Sequence, residues 1–207
     1  MKEKILVLDA LSYAPTDEKT ANLIREYSDG IPNSEFVSSR LARVFAYADL
    51  HSPGCDIVSK KLYELSKEQL MKEVRSEVYK YIIISGSANS VNGSLKKFDN
   101  VIEVIAQTNN ERAAKIIGIC VGIQIVAVAG KGAVSKLPEQ FYGWGDIYFN
   151  NGETTKVWRN NLEYVSEVPE GAAVVAWFDK EKEKYPAVIE FPNGDIGYQH
   201  HPEKLVV

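Results

Sequence analysis

Short apolar runs that alternate with longer amphipathic stretches constrain this chain more than any other feature of its sequence. Lys4 to Asp9, Tyr81 to Ile84 and Lys115 to Ile119 are each a nearly continuous run of large aliphatic residues, the signature of a strand covered on both faces. Helical patterns lie between them. Thr16 to Tyr27 has Asp17 and Glu18 near its start, where negative charge favours a helix. Ser66 to Val78 opens with Ser66 and Gln69 in the spacing of a capping box. Ser94 to Thr108 gathers Phe98, Val101, Ile102 and Ile105 on one helical stripe. A strand that is followed by a helix and then by another strand needs crossover connections, which predicts a parallel sheet with helices on its faces.

Less regular segments complete the reading. Residues 28–50 read as loop with a helix of unfixed boundaries, and Cys55 to Val58 as a short strand. After Gly130 the pattern becomes β-rich: Trp144 to Phe149, Lys156 to Trp158, Ala172 to Phe178, Ala187 to Phe191 and Gly197 to Gln199 read as strands. Asn193-Gly194 is a hairpin signal between the last two. No linker or repeat divides the chain, so the 207 residues are expected to form a single domain.

Composition narrows the function. The 45% hydrophobic and 25% charged content is that of a globular domain, and the net charge of −4 argues against nucleic acid as a partner. No run approaches the roughly 20 apolar residues that span a bilayer, so no membrane association is expected. Two cysteines, Cys55 and Cys120, do not make a disulfide framework, and the three histidines lack metal-ligand spacing. These features fit a cytoplasmic, reducing setting.

The sharpest local feature is Gly118-Ile119-Cys120-Val121-Gly122-Ile123-Gln124, at the junction of an apolar strand and an apolar helix, Val121 to Ala129. A reactive side chain on such a tight turn has the logic of a nucleophile elbow. Glycine at 118 and 122 removes side chains where strand and helix pack closely. The helix start favours a thiolate, and the Val121 amide is placed to meet a developing oxyanion. A lone cysteine in apolar surroundings is more often core, and that is the expectation for Cys55.

Near the end stands Gln199-His200-His201-Pro202-Glu203. A thiol nucleophile needs a base, and the base needs an orienting acceptor. In extended chain, residues two apart point the same way, which predicts His201 and Glu203 on one side and His200 on the other. Pro202 biases His201 towards extended backbone. Taken alone, the same residues read equally well as a solvated surface turn.

Together, G-x-C-x-G-x-Q and the later H-P-E resemble the class I (triad) glutamine amidotransferase family, nearest in motif to the glutaminase part of GMP synthetases. Ile82 to Val91 is similar to that family's oxyanion-strand loop, and Tyr142-Gly143-Trp144 to another of its segments. The resemblance implies a three-layer, mostly parallel, flavodoxin-like sheet flanked by helices, with a β-rich C-terminal part. It implies Cys120 as nucleophile, His201 as base and then acid, and Glu203 as the residue that orients the imidazole. The backbone amides of Ser87 and Val121 would form the oxyanion hole, and Gly86 and Gln124 would help hold the substrate. That substrate would be L-glutamine or another γ-glutamyl compound, hydrolysed through a cysteinyl thioester without metal or organic cofactor, with the ammonia passed to a separate synthetase.

The sequence departs from the family in three places. Gly86-Ser87-Ala88 stands where the family has Gly-Gly-Pro. The family's Ser-His strand, which helps bind glutamine, is expected near Val174 to Asp179, where Trp177 and Phe178 read as core. The chain ends at Val207, where relatives continue through a final helix, which would leave the three residues exposed or covered by a partner. Two other functions therefore stay open: a stand-alone γ-glutamyl hydrolase using the same residues, and a non-catalytic α/β module that binds a partner. Binding alone would require none of the three. Cysteine-elbow proteins of the DJ-1-like group fit less well, because their chemistry does not call for the terminal H-P-E.

Overall fold

The computed structural model describes residues 3–10, 33–87, 95–180 and 183–205. The helix expected over Thr16 to Tyr27 and the segment Ala88 to Val91 lie outside them. The apolar runs form β1 (Lys4–Asp9), β2 (Asp56–Lys61), β3 (Tyr79–Ile84) and β4 (Lys115–Ile119). The helices are α1 (Asn33–His51), α2 (Lys67–Val74), α3 (Leu95–Thr108) and α4 (Val121–Ala129). The β-rich part supplies β5 (Ala133–Phe149), β6 (Thr154–Glu167), β7 (Ala173–Lys180), β8 (Glu183–Glu190) and β9 (Ile196–Tyr198).

These nine strands form one sheet in the order β2-β1-β3-β4-β9-β8-β7-β5-β6. The pairings from β2 through β1, β3 and β4 to β9 are parallel. Those from β9 through β8, β7 and β5 to β6 are antiparallel. The expected parallel sheet is therefore the first part of a mixed one, and the β-rich segment continues it edge to edge.

Alternate residues of the parallel strands serve two helical layers. Leu6, Leu8, Ile82, Ile84 and Ile116 pack with Leu70 of α2, Phe98 and Val101 of α3 and Ile123 of α4. Ile5, Val7, Ile83 and Ile117 face the opposite way, onto Val44, Tyr47 and Ala48 of α1. A third core, around Phe141, Ile147, Phe178 and Val188, belongs to the antiparallel strands. The two parts are tied where the β8–β9 turn meets the start of β4. There the buried Arg112 guanidinium pairs with Asp195, and Asp195 also accepts the Ile116 amide at 2.7 Å.

Several boundaries differ from the sequence reading for local reasons. The capping box is present: Ser66 Oγ accepts the Gln69 amide at 3.2 Å, and Gln69 Oε1 accepts the Ser66 amide at 2.8 Å. Helix α2 nevertheless stops at Val74, not Val78, because the sheet claims the following residues. The Val78 carbonyl accepts from Lys4, and Tyr79 is in register with Lys4. Strands β5 and β6 are far longer than the short runs read from sequence, since they form a two-stranded ribbon paired along nearly its whole length.

Candidate active site

In the parallel part, strand ends carry the chemistry, because ligand sites of such sheets lie beyond the carboxyl ends of the strands. Three neighbouring strands, β3, β4 and β9, end side by side. They deliver Gly86 and Ser87, Cys120, and His200 and His201 respectively.

Cys120 takes φ 54° and ψ −104°, a left-handed backbone that only one other non-glycine residue, Lys131, shares in φ sign among the described residues. Such strain persists only where the surroundings hold it. Here the Cys120 amide donates to the Tyr198 carbonyl at 2.7 Å. A Cβ at Gly122 would meet the Ile84 carbonyl oxygen at 2.4 Å, and one at Gly118 would meet the Gly122 backbone at 2.6 Å. Only glycine lets the turn close this tightly.

His201 donates its amide to the Trp158 carbonyl at 3.0 Å, and its Nδ1 lies 2.8 Å from Glu203 Oε1. Extended alternation does not bring these two together, contrary to the expectation from sequence. His201 has φ −108° and ψ 83°, and Pro202–Lys204 is a 3₁₀ turn that folds Glu203 back under the imidazole. Cys120 lies beside the same imidazole, close enough to raise its pKa. Gly86 closes the cluster: a Cβ there would stand 3.1 Å from His201 Cε1 and 3.3 Å from the Cys120 Cβ.

The three side chains are buried, at 7%, 3% and 3% exposure for Cys120, His201 and Glu203. Of the two expected arrangements, exposed or covered by a partner, the exposed one is thus not found. Helix α1 and strand β6 cover the terminal turn, with the Trp158 ring edge-on to His201 at 5.3 Å and Tyr47 close enough to feel the Glu203 charge. Burial pushes the His201 pKa down, but the Glu203 carboxylate, then Cys120, outweigh it and leave it raised. His200, as expected, serves another environment. Its ring stacks edge-on against Tyr198 at 5.4 Å, and burial, then the charge of His201, lowers its pKa to about 4.

The strand that approaches the sulfur is β6, not β7. Phe178 of β7 is core, as expected, while Trp177 turns outward and donates to Asn150 at 3.1 Å. In β6, Asn160 and Asn161 both reach Cys120, and Asn161 also donates to the Gln199 carbonyl at 2.8 Å. Trp158, Asn160 and Asn161 escape the sequence reading. Gln124 is buried, and its Nε2 donates to the Glu163 carbonyl at 3.2 Å and to Gln199 Oε1 at 3.4 Å. Val121 is the first residue of α4, where an amide has no partner within the helix. Ser87 directly follows Gly86 and is half-buried. Among the described residues no three His, Cys, Asp or Glu are gathered so as to hold a metal.

The family model for class I glutamine amidotransferases matches residues 48–206, well over half of the chain, and spans every described strand except β1. The chain belongs to the class I glutamine amidotransferase family. Among its relatives is a glutamine-hydrolysing GMP synthase of Staphylococcus saprophyticus, 27% identical over 192 residues, covering 89% of this chain but 33% of the relative. The chain thus spans about a third of that relative's length. A glutamine-hydrolysing GMP synthase subunit of Sulfurisphaera tokodaii is 28% identical over 133 residues, covering 60% of this chain and 68% of the relative. The amidotransferase fold is shared with a putative GMP synthase subunit from Thermoplasma acidophilum, with a TM-score of 0.63 at 17% identity, covering 98% of this chain and 85% of that one. A glutamine amidotransferase from Thermotoga maritima gives 0.64 at 13% identity, covering 98% and 77%. No helix among the described residues is long and apolar enough to cross a membrane.

Proposed function

We propose that this chain hydrolyses the side-chain amide of L-glutamine and passes the ammonia to a separate synthetase protein. The observation that carries the reading is the convergence of Cys120, His201 and Glu203 beyond three adjacent strand ends, with Gly86 against both the cysteine and the imidazole. In this mechanism the Cys120 proton moves to His201, and the thiolate attacks the glutamine amide carbon. The Ser87 and Val121 amides receive the oxyanion, each worth about 3–4 kcal/mol where such a donor acts. His201 returns its proton to the leaving nitrogen, ammonia departs, and a γ-glutamyl thioester remains. Water, deprotonated by His201, releases glutamate and regenerates the thiol. Glu203 holds the imidazole and favours its charged form.

Gly86 and Gln124 belong to the pocket for glutamine, Gln124 through the amide chain it shares with Gln199 and β6. The separate synthetase is supported by the Sulfurisphaera relative, which is itself named as one subunit of a GMP synthase. Glutamate release from glutamine tests the reading. Cys120→Ala is expected to lower turnover by about 10³-fold or more, as loss of a covalent nucleophile does, with the thermal midpoint retained. Equal turnover in that variant overturns the assignment. Faster release from other γ-glutamyl amides than from glutamine would favour a γ-glutamyl hydrolase.

A further inference from the structure

Strand β6 offers the Cys120 sulfur two groups of opposite polarity. The Asn160 carbonyl oxygen stands 3.9 Å away, placed to accept from the thiol, and Asn161 Nδ2 donates to the sulfur at 3.5 Å. The same Asn161 nitrogen donates to the Gln199 carbonyl at 2.8 Å. Both of its partners are acceptors, and this fixes which way the carboxamide faces. Turned over, Oδ1 would point at a carbonyl oxygen and at sulfur lone pairs. In the observed orientation Oδ1 has no hydrogen-bond partner among the described residues, although the side chain is only 3% exposed. A buried carbonyl left this way is costly. The orientation is therefore held by what the N–H groups touch.

We infer that Asn161 is a positioning residue that holds the Cys120 sulfur in its ionised state beside His201. When the S–H proton passes to the imidazole, the sulfur keeps the electron pair and gains a charge-assisted N–H contact in a buried site, where such contacts are strengthened. When the proton returns, the S–H turns to the Asn160 carbonyl. The sulfur thus has one partner for each protonation state, both from the middle of one strand. The bond to Gln199 sets the reach, because it ties β6 to the segment that carries His201. This inference rests on Cys120 being the nucleophile of the proposed reaction.

The test reads the sulfur directly. In a Cys55→Ser background, which leaves one thiol, the rate of Cys120 alkylation by iodoacetamide is followed against pH. Asn161→Leu is expected to slow alkylation about tenfold at pH 7, the size of one charge-assisted hydrogen bond, and to converge with the parent at alkaline pH. Asn161→Asp, which places negative charge beside the sulfur, is expected to slow it further. A rate unchanged by both, or altered equally at every pH, would mean that Asn161 only ties β6 to Gln199, and overturns the inference. In the unsubstituted protein the Asn161 side-chain amide resonance should move with pH along the alkylation profile and stay flat in Cys120→Ser. A flat resonance in both overturns the inference even where the variants fail to fold. Glutamate release by the parent is measured alongside. Its absence with a displaced alkylation profile sinks the glutaminase reading and keeps the role of Asn161, whereas release with an undisplaced profile sinks Asn161 alone.

Discussion

The parallel and antiparallel parts of the sheet supply the site in different ways. Strands β1, β3 and β4 are covered on both faces, with Ile5, Leu6, Val7, Leu8, Ile82, Ile83 and Ile84 all fully buried. Such strands have no room for unpaired polar side chains, so their chemistry is confined to their ends, where Gly86 and Cys120 stand. Strand β6 is part of a ribbon with one wet face. It carries Arg159, Asn160, Asn161 and Glu163 in mid-strand, and two of these touch the sulfur. The parallel part fixes the point of reaction, and the antiparallel part surrounds it with polar groups.

The largest expected effect comes from weakening the antiparallel core. Phe178 is buried against the Phe141 ring at 5.9 Å and the Arg159 guanidinium at 5.3 Å. Phe178→Ala should cost about 3–5 kcal/mol in urea unfolding. If this part is a wall and not the reacting centre, glutamate release per folded molecule should persist. Loss of release without loss of stability would break the distinction.

Next in size is a pH effect carried by two adjacent histidines. His200 faces Tyr198 and the backbone of Ala187 in the antiparallel part, while His201 faces Cys120. With a folded pKa near 4 against 6.5 unfolded, His200 binds more protons when unfolded. Its contribution is therefore fully present above pH 6.5 and is lost as pH falls towards 4, by about 3 kcal/mol. His201, shifted upward, contributes oppositely: its part is complete below its unfolded pKa and is lost as pH rises through the folded value. His200→Gln should flatten the acid limb of the thermal midpoint between pH 6.5 and 4. An unchanged limb would show that the pair does not divide in this way.

The smallest effect sharpens the comparison from the helical layer. Ser66 caps α2, the helix that follows the edge strand β2, three places from β4 in the sheet. Ser66→Ala should cost about 1 kcal/mol and leave glutamate release and Cys120 alkylation as they are. A change in either would mean that the helical layer tunes the site.

The legibility of the sequence follows the same division. Fully buried strands write themselves as apolar runs, and α3 as a stripe of which Phe98, Val101 and Ile105 are buried. The cap at Ser66 is readable because it is a contact between near neighbours in the chain. Strands β5 and β6 are readable only in fragments, because one face is solvated and polar residues break the alternation that marks a strand. Helix α1 buries Val44, Tyr47 and Ala48 in helical spacing, but Gly30, Pro32 and the serines ahead of it obscure where it begins. The sequence points to β7 for the wall of the site, since nothing local in Asn160 or Asn161 marks them as neighbours of a cysteine some forty positions upstream.

By itself the sequence determined the strand-to-helix turn that presents Cys120, because that turn depends on which side chains are missing at Gly118 and Gly122. It also determined that a histidine and a carboxylate would lie close together at the end of the chain. Only the tertiary structure decided what the sulfur meets. Hydrogen bonding between β4 and β9 brings the terminal histidine to the cysteine, and the reach of β6 across the site sets two asparagines against it. Local spacing can encode a turn, but contacts between strands distant in sequence exist only once the sheet has formed.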